Sequence, residues 1–407
     1  MRRLTYRIVI SIITFVFGVG LSAIWIAGFS EDGQSRVKTL APDEPETAAN
    51  ADKPVLEMVF VLDTTGSMGG LIDGAKQRVW GIVNEAMQAE SRPAVRVGLV
   101  AYRDLGDQYV TQVLPLTDDL DKVYTTLMDY RAEGGGDGPE NVRRALADGV
   151  HRAGWSQARK GGPNVAQILF LVGDAPPHDD YRNEPDTLRS TGEAIARGMV
   201  VNTIQCGEQT DTRRVWQAIA QRGEGRFFAI AQDGGVRSIE TPYDGKLGEL
   251  GTKLGGTYLA YGGGAGVAGE NFRAEASAAQ LTTETKVATA APQTAQAERA
   301  MNKALNSNAY IGDLLQNVEN GSVKLDAVKD VDLPDQLRKL PPAERQREVQ
   351  RRLDERSKLR AEILALSKQR EAFIAAEKKK RAGATQDSFD TAVASALKEQ
   401  MARKGIK

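Results

Sequence analysis

From Val55 to about Tyr261, short apolar runs alternate with longer amphipathic stretches, and this alternation constrains the fold more than any other feature of the chain. The strand candidates are Val55–Leu62, Val95–Tyr102, Val110–Leu116, Val165–Val172, Val200–Cys206 and Arg226–Ala231. The helix candidates are Leu71–Ala89, Leu120–Arg131, Pro139–Trp155, Pro185–Gly198, Thr212–Gln221 and Tyr243–Leu259. A continuous apolar run such as "VAQILFLVG" suits a strand buried on both faces. Strands and helices in regular alternation build a parallel sheet with helices on both sides. The gap between Tyr102 and Val110 is too short for a crossover, so those strands are predicted to form a hairpin. The expected class is α/β: a doubly wound, mostly parallel, six-stranded sheet with one antiparallel edge strand.

Composition divides the rest of the chain. Arg2, Arg3 and Arg7 precede an uncharged stretch from Ile8 to Ser30, which Glu31 and Asp32 follow. The apolar core of a signal peptide is usually ~7–15 residues and a spanning helix needs ~20, so this stretch is long enough to span. The charges before it favour an N-in orientation. Residues 1–30 are therefore expected to be a signal anchor, a single transmembrane helix in the cell (inner) membrane with the C-terminal part extracytoplasmic. A cleaved signal peptide is the alternative and gives the same compartment. Residues 31–54, with Pro42, Pro45 and Pro54, read as a linker to the domain spanning 55–261.

"YGGGAGVAG" (Tyr261–Gly269) then breaks the pattern, and residues 262–301 read as a Gly/Ala-rich linker or loose helix. Residues 302–407 read as helical and partly coiled-coil-like, with Leu353, Leu359, Ile363, Leu366 and Phe373 mostly at three- and four-residue steps. This region is expected to be a solvated helical hairpin, separable from the preceding domain. Its positive charges alternate with acids and few aromatics are interleaved, which argues against nucleic acid, as does a whole-chain net charge of -1. Cys206 is the only cysteine, so an intramolecular disulfide and a multi-cysteine metal site are ruled out. Within "VVNTIQCG" it reads as a small core residue. His151 and His178 are the only histidines and leave little scope for a histidine-rich metal site.

In a doubly wound sheet, ligands bind outside the carboxyl ends of the strands, where strand order reverses. Three acidic sequences fall at that edge. "DTTGS" (Asp63–Ser67) follows the first strand, "GGGDGPEN" (Gly134–Asn141) opens a helix, and "VGDAPPHDD" (Val172–Asp180) follows the fourth strand. Alternating residues Asp63, Thr65 and Ser67 can present one carboxylate and two hydroxyls the same way, while Glu140 and Asp174 approach from neighbouring loops. Oxygen-only donors suit a hard cation, Mg²⁺ or Ca²⁺, and not Zn²⁺ or Cu²⁺. Capping is the plainer alternative: Ser67 at the helix near Leu71, Asp137 at the helix from Pro139, and Asp179 or Asp180 further on. Asp104, in "AYRDLGD", lies at the same edge; it either supports the site or a second cation, or belongs to a surface turn. His178 is expected to shape the cleft, and Trp80, Trp155 and Trp216 to pack in the core.

This arrangement resembles the von Willebrand factor A domain with its metal-ion-dependent adhesion site, over about residues 55–261. The family's DxSxS turn is matched by Asp63, Thr65 and Ser67, with threonine in the middle position, and its later aspartate by Asp174. "GGGDGPE" is similar to the integrin β-subunit version, which implies Glu140 as a metal ligand. The adjacent metal of that subclass needs acidic residues where Met68-Gly69-Gly70 stand. A further site would use Asp137 and the Pro139 carbonyl, although Gly135 replaces the expected asparagine. The three motifs together also resemble a bacterial group of exported A-domain proteins with helical C-terminal regions.

The resemblance implies a module that binds Mg²⁺ (or Mn²⁺ or Ca²⁺) and uses it to capture a carboxylate of a partner protein, without catalysis. A metal-dependent phosphoryl hydrolase is the enzymatic alternative, because Asp63 followed by threonine could act as a nucleophile. Against it, Thr65 stands where such hydrolases place a second aspartate. No GxxxxGK[ST] motif is present. A scaffold that works mainly through its helical tail is a third reading.

Overall fold

The computed structural model describes residues 53–136, 138–157, 164–235, 238–306, 308–380 and 389–406. The expected anchor at 1–30, most of the 31–54 linker and Asp137 lie outside these residues. Among the described residues, no helix is long and apolar enough to cross a membrane.

Six strands form one sheet: β1 (Val55–Asp63), β2 (Ala94–Tyr102), β3 (Thr111–Thr117), β4 (Val165–Gly173), β5 (Val200–Cys206) and β6 (Glu224–Ile230). Their order is β3-β2-β1-β4-β5-β6, and only the β2–β3 pair is antiparallel. Strand order reverses between β1 and β4, which puts the crevice of a doubly wound sheet beside the C-terminal ends of those two strands.

The helices that follow the strands are α1 (Gly69–Met87), α2 (Leu120–Asp129), α3 (Val142–His151), α4 (Thr187–Ala196), α5 (Thr210–Arg222) and α6 (Asp244–Gly255). Strand β1 serves both faces through its two-residue period. Leu56, Met58, Phe60 and Leu62 join the core under α1 and α2, whereas Val59 and Val61 join the core under α3, α4 and α5. Trp80, Trp216 and Cys206 are buried in these cores as expected, and Trp155, half-buried, sits beyond the end of α3.

Helix α3 starts later than the sequence suggests. Gly138-Pro139-Glu140 stays extended, Glu140 pairs with Pro177 in an isolated parallel bridge, and Asn141 caps the helix by accepting from the Arg144 amide at 3.1 Å.

The C-terminal third departs from expectation. Residues 262–301 hold two helices, α7 (Gly266–Ala290) and α8 (Gln293–Leu305), and α8 packs against α1 and α6. Next come α9 (Leu314–Glu319), α10 (Asp335–Arg338), the 39-residue α11 (Pro342–Lys380) and α12 (Phe389–Arg403). Helix α11 lies against α6, α8 and α9, while α12 lies on α1 and on β4, β5 and β6. A hairpin of α11 on α12 is therefore not the arrangement. Phe389, Val393, Leu397 and Met401 enter the same core as Phe60 and Phe170, with the Phe389 and Phe60 ring centroids 6.1 Å apart. The physical reason is the apolar face of β4–β6 beside α1, which needs a cover that α12 supplies. The described residues form one compact unit.

Candidate functional site

Strand β1 ends on Asp63 and the chain turns at once, through a short 3-10 segment (Gly66–Met68) into α1. Asp63 Oδ1 accepts hydrogen bonds from the Thr65 amide at 2.9 Å and the Thr65 hydroxyl at 2.7 Å. Asp63 is fully buried, and its Oδ2 has no hydrogen-bond partner. Burial pushes the carboxyl up to about 7; the Thr65 bonds oppose this, Asp174 adds repulsion, and the nearby Tyr102 hydroxyl lowers the value a little.

Glu140 arrives from the other side of the crevice. Its amide donates to the Pro176 carbonyl at 3.0 Å and its carbonyl accepts from the His178 amide at 3.3 Å, so the backbone is pinned to the loop after β4. Its side chain is buried, and Oε2 has no hydrogen-bond partner. Burial first, then Asp63, Asp104, Asp107 and Asp174, push this carboxyl up to about 9. A buried carboxylate oxygen without a partner is costly, and native proteins leave few of them.

Two glycines let the loops close on these groups. A Cβ at Gly135 would lie 2.7 Å from Glu140 Oε1 and 3.0 Å from Thr65 Cβ, so Glu140 and Thr65 meet across this residue. A Cβ at Gly173 would lie 2.4 Å from the Tyr102 hydroxyl and 3.0 Å from Asp63 Oδ2. The glycine loop is tied to the β1 turn by Gly66 N–H to the Gly134 carbonyl and Glu133 N–H to the Thr64 carbonyl, both 3.1 Å. Asp107 Oδ2 braces it by accepting from the Gly135 amide at 3.0 Å and the Asp104 amide at 3.1 Å.

Asp174 is half-buried just beyond β4, and its Oδ2 accepts from Gln232 Nε2 at 2.6 Å. The same nitrogen lies 3.5 Å from the Ser67 carbonyl. Ser67 is exposed in its turn and does not cap α1, whose N-cap is Met68 without a side-chain bond. The helix caps further along are Asn141 and Asp186 rather than Asp179 or Asp180.

Asp104 opens a surface turn, its carbonyl accepting from the Asp107 amide at 3.3 Å, but its own side chain is buried. Its Oδ2 accepts from the Tyr181 hydroxyl at 2.7 Å and lies 3.3 Å from His178 Nε2. Tyr181 stacks on His178 with centroids 4.0 Å apart, so the histidine shapes the cleft wall as expected. Pro139 is half-buried beside Glu140.

The structure thus brings Asp63, Thr65 and Glu140 together, sets Asp174 and Ser67 at the rim, and puts Asp104 behind. Among the described residues, no three His, Cys, Asp or Glu side chains by themselves form a metal-binding cluster. The donors are instead mixed: partnerless oxygens of Asp63 and Glu140, the Thr65 and Ser67 hydroxyls, and Asp174. That all-oxygen set fits a hard divalent cation. Asp107, Tyr102 and Gln232 escape a reading of the sequence; "RDLGD" hints at Asp107, while Gln232 follows a strand with no motif around it.

Residues 57–242 match the family model of the von Willebrand factor A domain. Over 128 residues the chain is 38% identical to von Willebrand factor A domain-containing protein 7 of Rattus norvegicus, a match covering 31% of this chain and 13% of that protein. The Mus musculus protein of the same name is 38% identical over 93 residues, 23% of this chain and 10% of its own length. The chain therefore spans only a small part of these curated relatives. Among solved structures it is similar to the conserved hypothetical protein BatB of Bacteroides thetaiotaomicron, with 14% identity, a TM-score of 0.31, and coverage of 44% of this chain and 90% of that one. An aerotolerance-related membrane protein of Bacteroides fragilis gives 16% identity, a TM-score of 0.30, and coverage of 44% and 92%. With this sheet order, residues 57–242 form a von Willebrand factor A domain.

Proposed function

We propose that this protein is a membrane-anchored, extracytoplasmic A-domain module that binds a divalent cation, Mg²⁺ by preference, and uses it to capture a carboxylate on a partner protein. The observation that carries this reading is the two buried, partnerless oxygens, Asp63 Oδ2 and Glu140 Oε2, on carboxylates that both adjoin Thr65. Buried carboxyls without partners ionise only at a cost, which a cation from outside the chain would offset. Asp63 is the anionic anchor, Thr65 and Ser67 supply hydroxyl oxygens, and Glu140 and Asp174 complete the acidic side, directly or through water. A bound cation would supply Lewis acidity and an exchangeable coordination position, since Mg²⁺ commonly keeps several waters. The arginines before Ile8 and the apolar stretch to Ser30 support the anchor.

The test is calorimetric titration of chelator-stripped protein with Mg²⁺, Mn²⁺ and Ca²⁺. Wild type and Cys206→Ser bind at millimolar cation or below, and Asp63→Ala, still folded, does not. A folded wild type that gives no heat with any of the three defeats the cation reading. A reporter active only in the cytoplasm, fused to the C-terminus, stays silent; a strong signal there defeats the topology.

A further inference from the structure

The turn after β6 makes a contact with the site that the acidic motifs do not explain. Residues 231–234 form a tight turn, closed by the Gly234 amide donating to the Ala231 carbonyl at 2.8 Å. Three neighbours fix its place. Asp233 packs so closely on Gly70 that a Cβ there would lie 2.8 Å from Asp233 Cα. A Cβ on Gly207, which has φ +77°, would lie 2.3 Å from Gln232 Oε1, so glycine at 207 makes room for this side chain. The Phe389 amide at the start of α12 donates to the Gly234 carbonyl at 3.0 Å. Held this way, Gln232 puts its Nε2 between the Asp174 carboxylate, at 2.6 Å, and the Ser67 carbonyl, at 3.5 Å.

We infer that Gln232 is a positioning residue that sets the cation selectivity of the site by restraining Asp174. This rests on the proposed cation binding. An amide donor on Oδ2 leaves Asp174 one oxygen to offer inward and opposes a two-oxygen grip on an ion. Ca²⁺ favours six to eight oxygen ligands, bidentate carboxylates among them, whereas Mg²⁺ takes octahedral geometry and keeps its waters. A tethered Asp174 therefore favours the smaller ion. Gln232 is exposed and its contact is a rim contact, so its loss leaves the fold intact.

The experiment titrates Mg²⁺ and Ca²⁺ separately into full-length wild type, Gln232→Met, Asp174→Asn and the double variant. Methionine keeps the length and removes the donor. Hydrogen bonds to charged groups contribute roughly 1.5–3 kcal/mol, which sets the scale at about tenfold or more. The expected result is that Gln232→Met lowers the ratio of Kd for Ca²⁺ to Kd for Mg²⁺ by about tenfold, and that the substitution changes nothing in the Asp174→Asn background. An unchanged ratio in Gln232→Met, or the same change with Asp174 already replaced, overturns the inference while leaving cation binding in place. A wild type that binds neither ion overturns the proposed function, and this inference with it.

Discussion

Among the buried carboxylates of the described residues, those at the C-terminal edge of the sheet and those under the C-terminal helices are treated in opposite ways. At the C-terminal edge of the sheet, Asp63 and Glu140 keep one oxygen each without a partner, and burial drives them up to about 7 and about 9. Where the C-terminal helices meet the sheet domain, every buried acid faces a cation from its own chain. Arg299 grips Asp121 through Nε and Nη2 at 2.7 and 2.8 Å and Glu284 through Nη1 and Nη2, both at 2.7 Å, and Lys303 also reaches Asp121. Arg356 meets Asp313 with both side chains fully buried, and Arg370 Nε lies 2.7 Å from Asp244 Oδ1. Burial raises Asp121, but Arg299 and Lys303 outweigh it and hold the carboxyl well below the usual range. Burial alone therefore does not mark a functional acid. What separates the two groups is whether the chain supplies the counter-charge: the helical layer uses its acids as clasps, and the sheet edge leaves Asp63 and Glu140 without one.

The largest effect expected from this contrast concerns the clasped side. A chain ending at Lys380 lacks α12 and uncovers the core around Phe60 and Phe170 that Phe389, Val393, Leu397 and Met401 fill. Each such side chain contributes roughly 1.5–3 kcal/mol when buried, so the truncated chain loses cooperative unfolding in urea. Full cooperativity in that chain would make α12 a dispensable cover rather than part of the core.

Arg299→Met comes next. It strands Asp121 and Glu284, and breaking a buried pair in this way typically costs about 3–5 kcal/mol in urea titration. A loss below about 1 kcal/mol would mean that Lys303 alone neutralises the cluster.

The open side has the opposite sign. Without metal, the folded carboxyl of Asp63 titrates near 7 against 3.8 for an ordinary aspartate, so the folded state holds the proton more tightly. Its penalty is absent below about pH 4, grows as pH rises towards 7 and is complete above that. In chelator, Asp63→Asn is thus expected to be more stable than wild type at pH 8, by at most about 4 kcal/mol at 1.36 kcal/mol per pKa unit, and equal to it at pH 4. Denaturant midpoints at the two pH values check this, and a variant less stable at pH 8 would make Asp63 a structural acid like Asp121.

The sheet was legible because β1 and β4 are nearly continuous apolar runs, and even Val200–Cys206, which carries Asn202, Thr203 and Gln205, matches the observed strand end to end. Asp63, Thr65, Glu140 and Asp174 stood out as candidates because Asp63, Thr65 and Asp174 lie at the ends of apolar strands and Glu140 lies in a glycine-rich loop just before a helix. The return of α12 was not legible. Ala392, Val393, Ala396 and Leu397 form an apolar stripe like that of any amphipathic helix, and nothing local says which surface it covers. The clasps were hidden for the same reason, since Arg299 and Asp121 are far apart in sequence and each reads as a solvated charge until the fold pairs them.

If the partnerless oxygens of Asp63 and Glu140 hold the cation, its binding releases protons. At pH 7 the metal-free site holds the Glu140 proton and part of the Asp63 proton, both of which a cation must displace. Mg²⁺ titrations of stripped wild type and Glu140→Gln, each run at pH 7 in buffers of different ionisation enthalpy, measure this count. Wild type is expected to release roughly one proton or more per Mg²⁺, and any residual binding by Glu140→Gln to release clearly fewer. Mg²⁺ binding that releases no proton, or equal release from both proteins, would contradict this role of the two carboxyls.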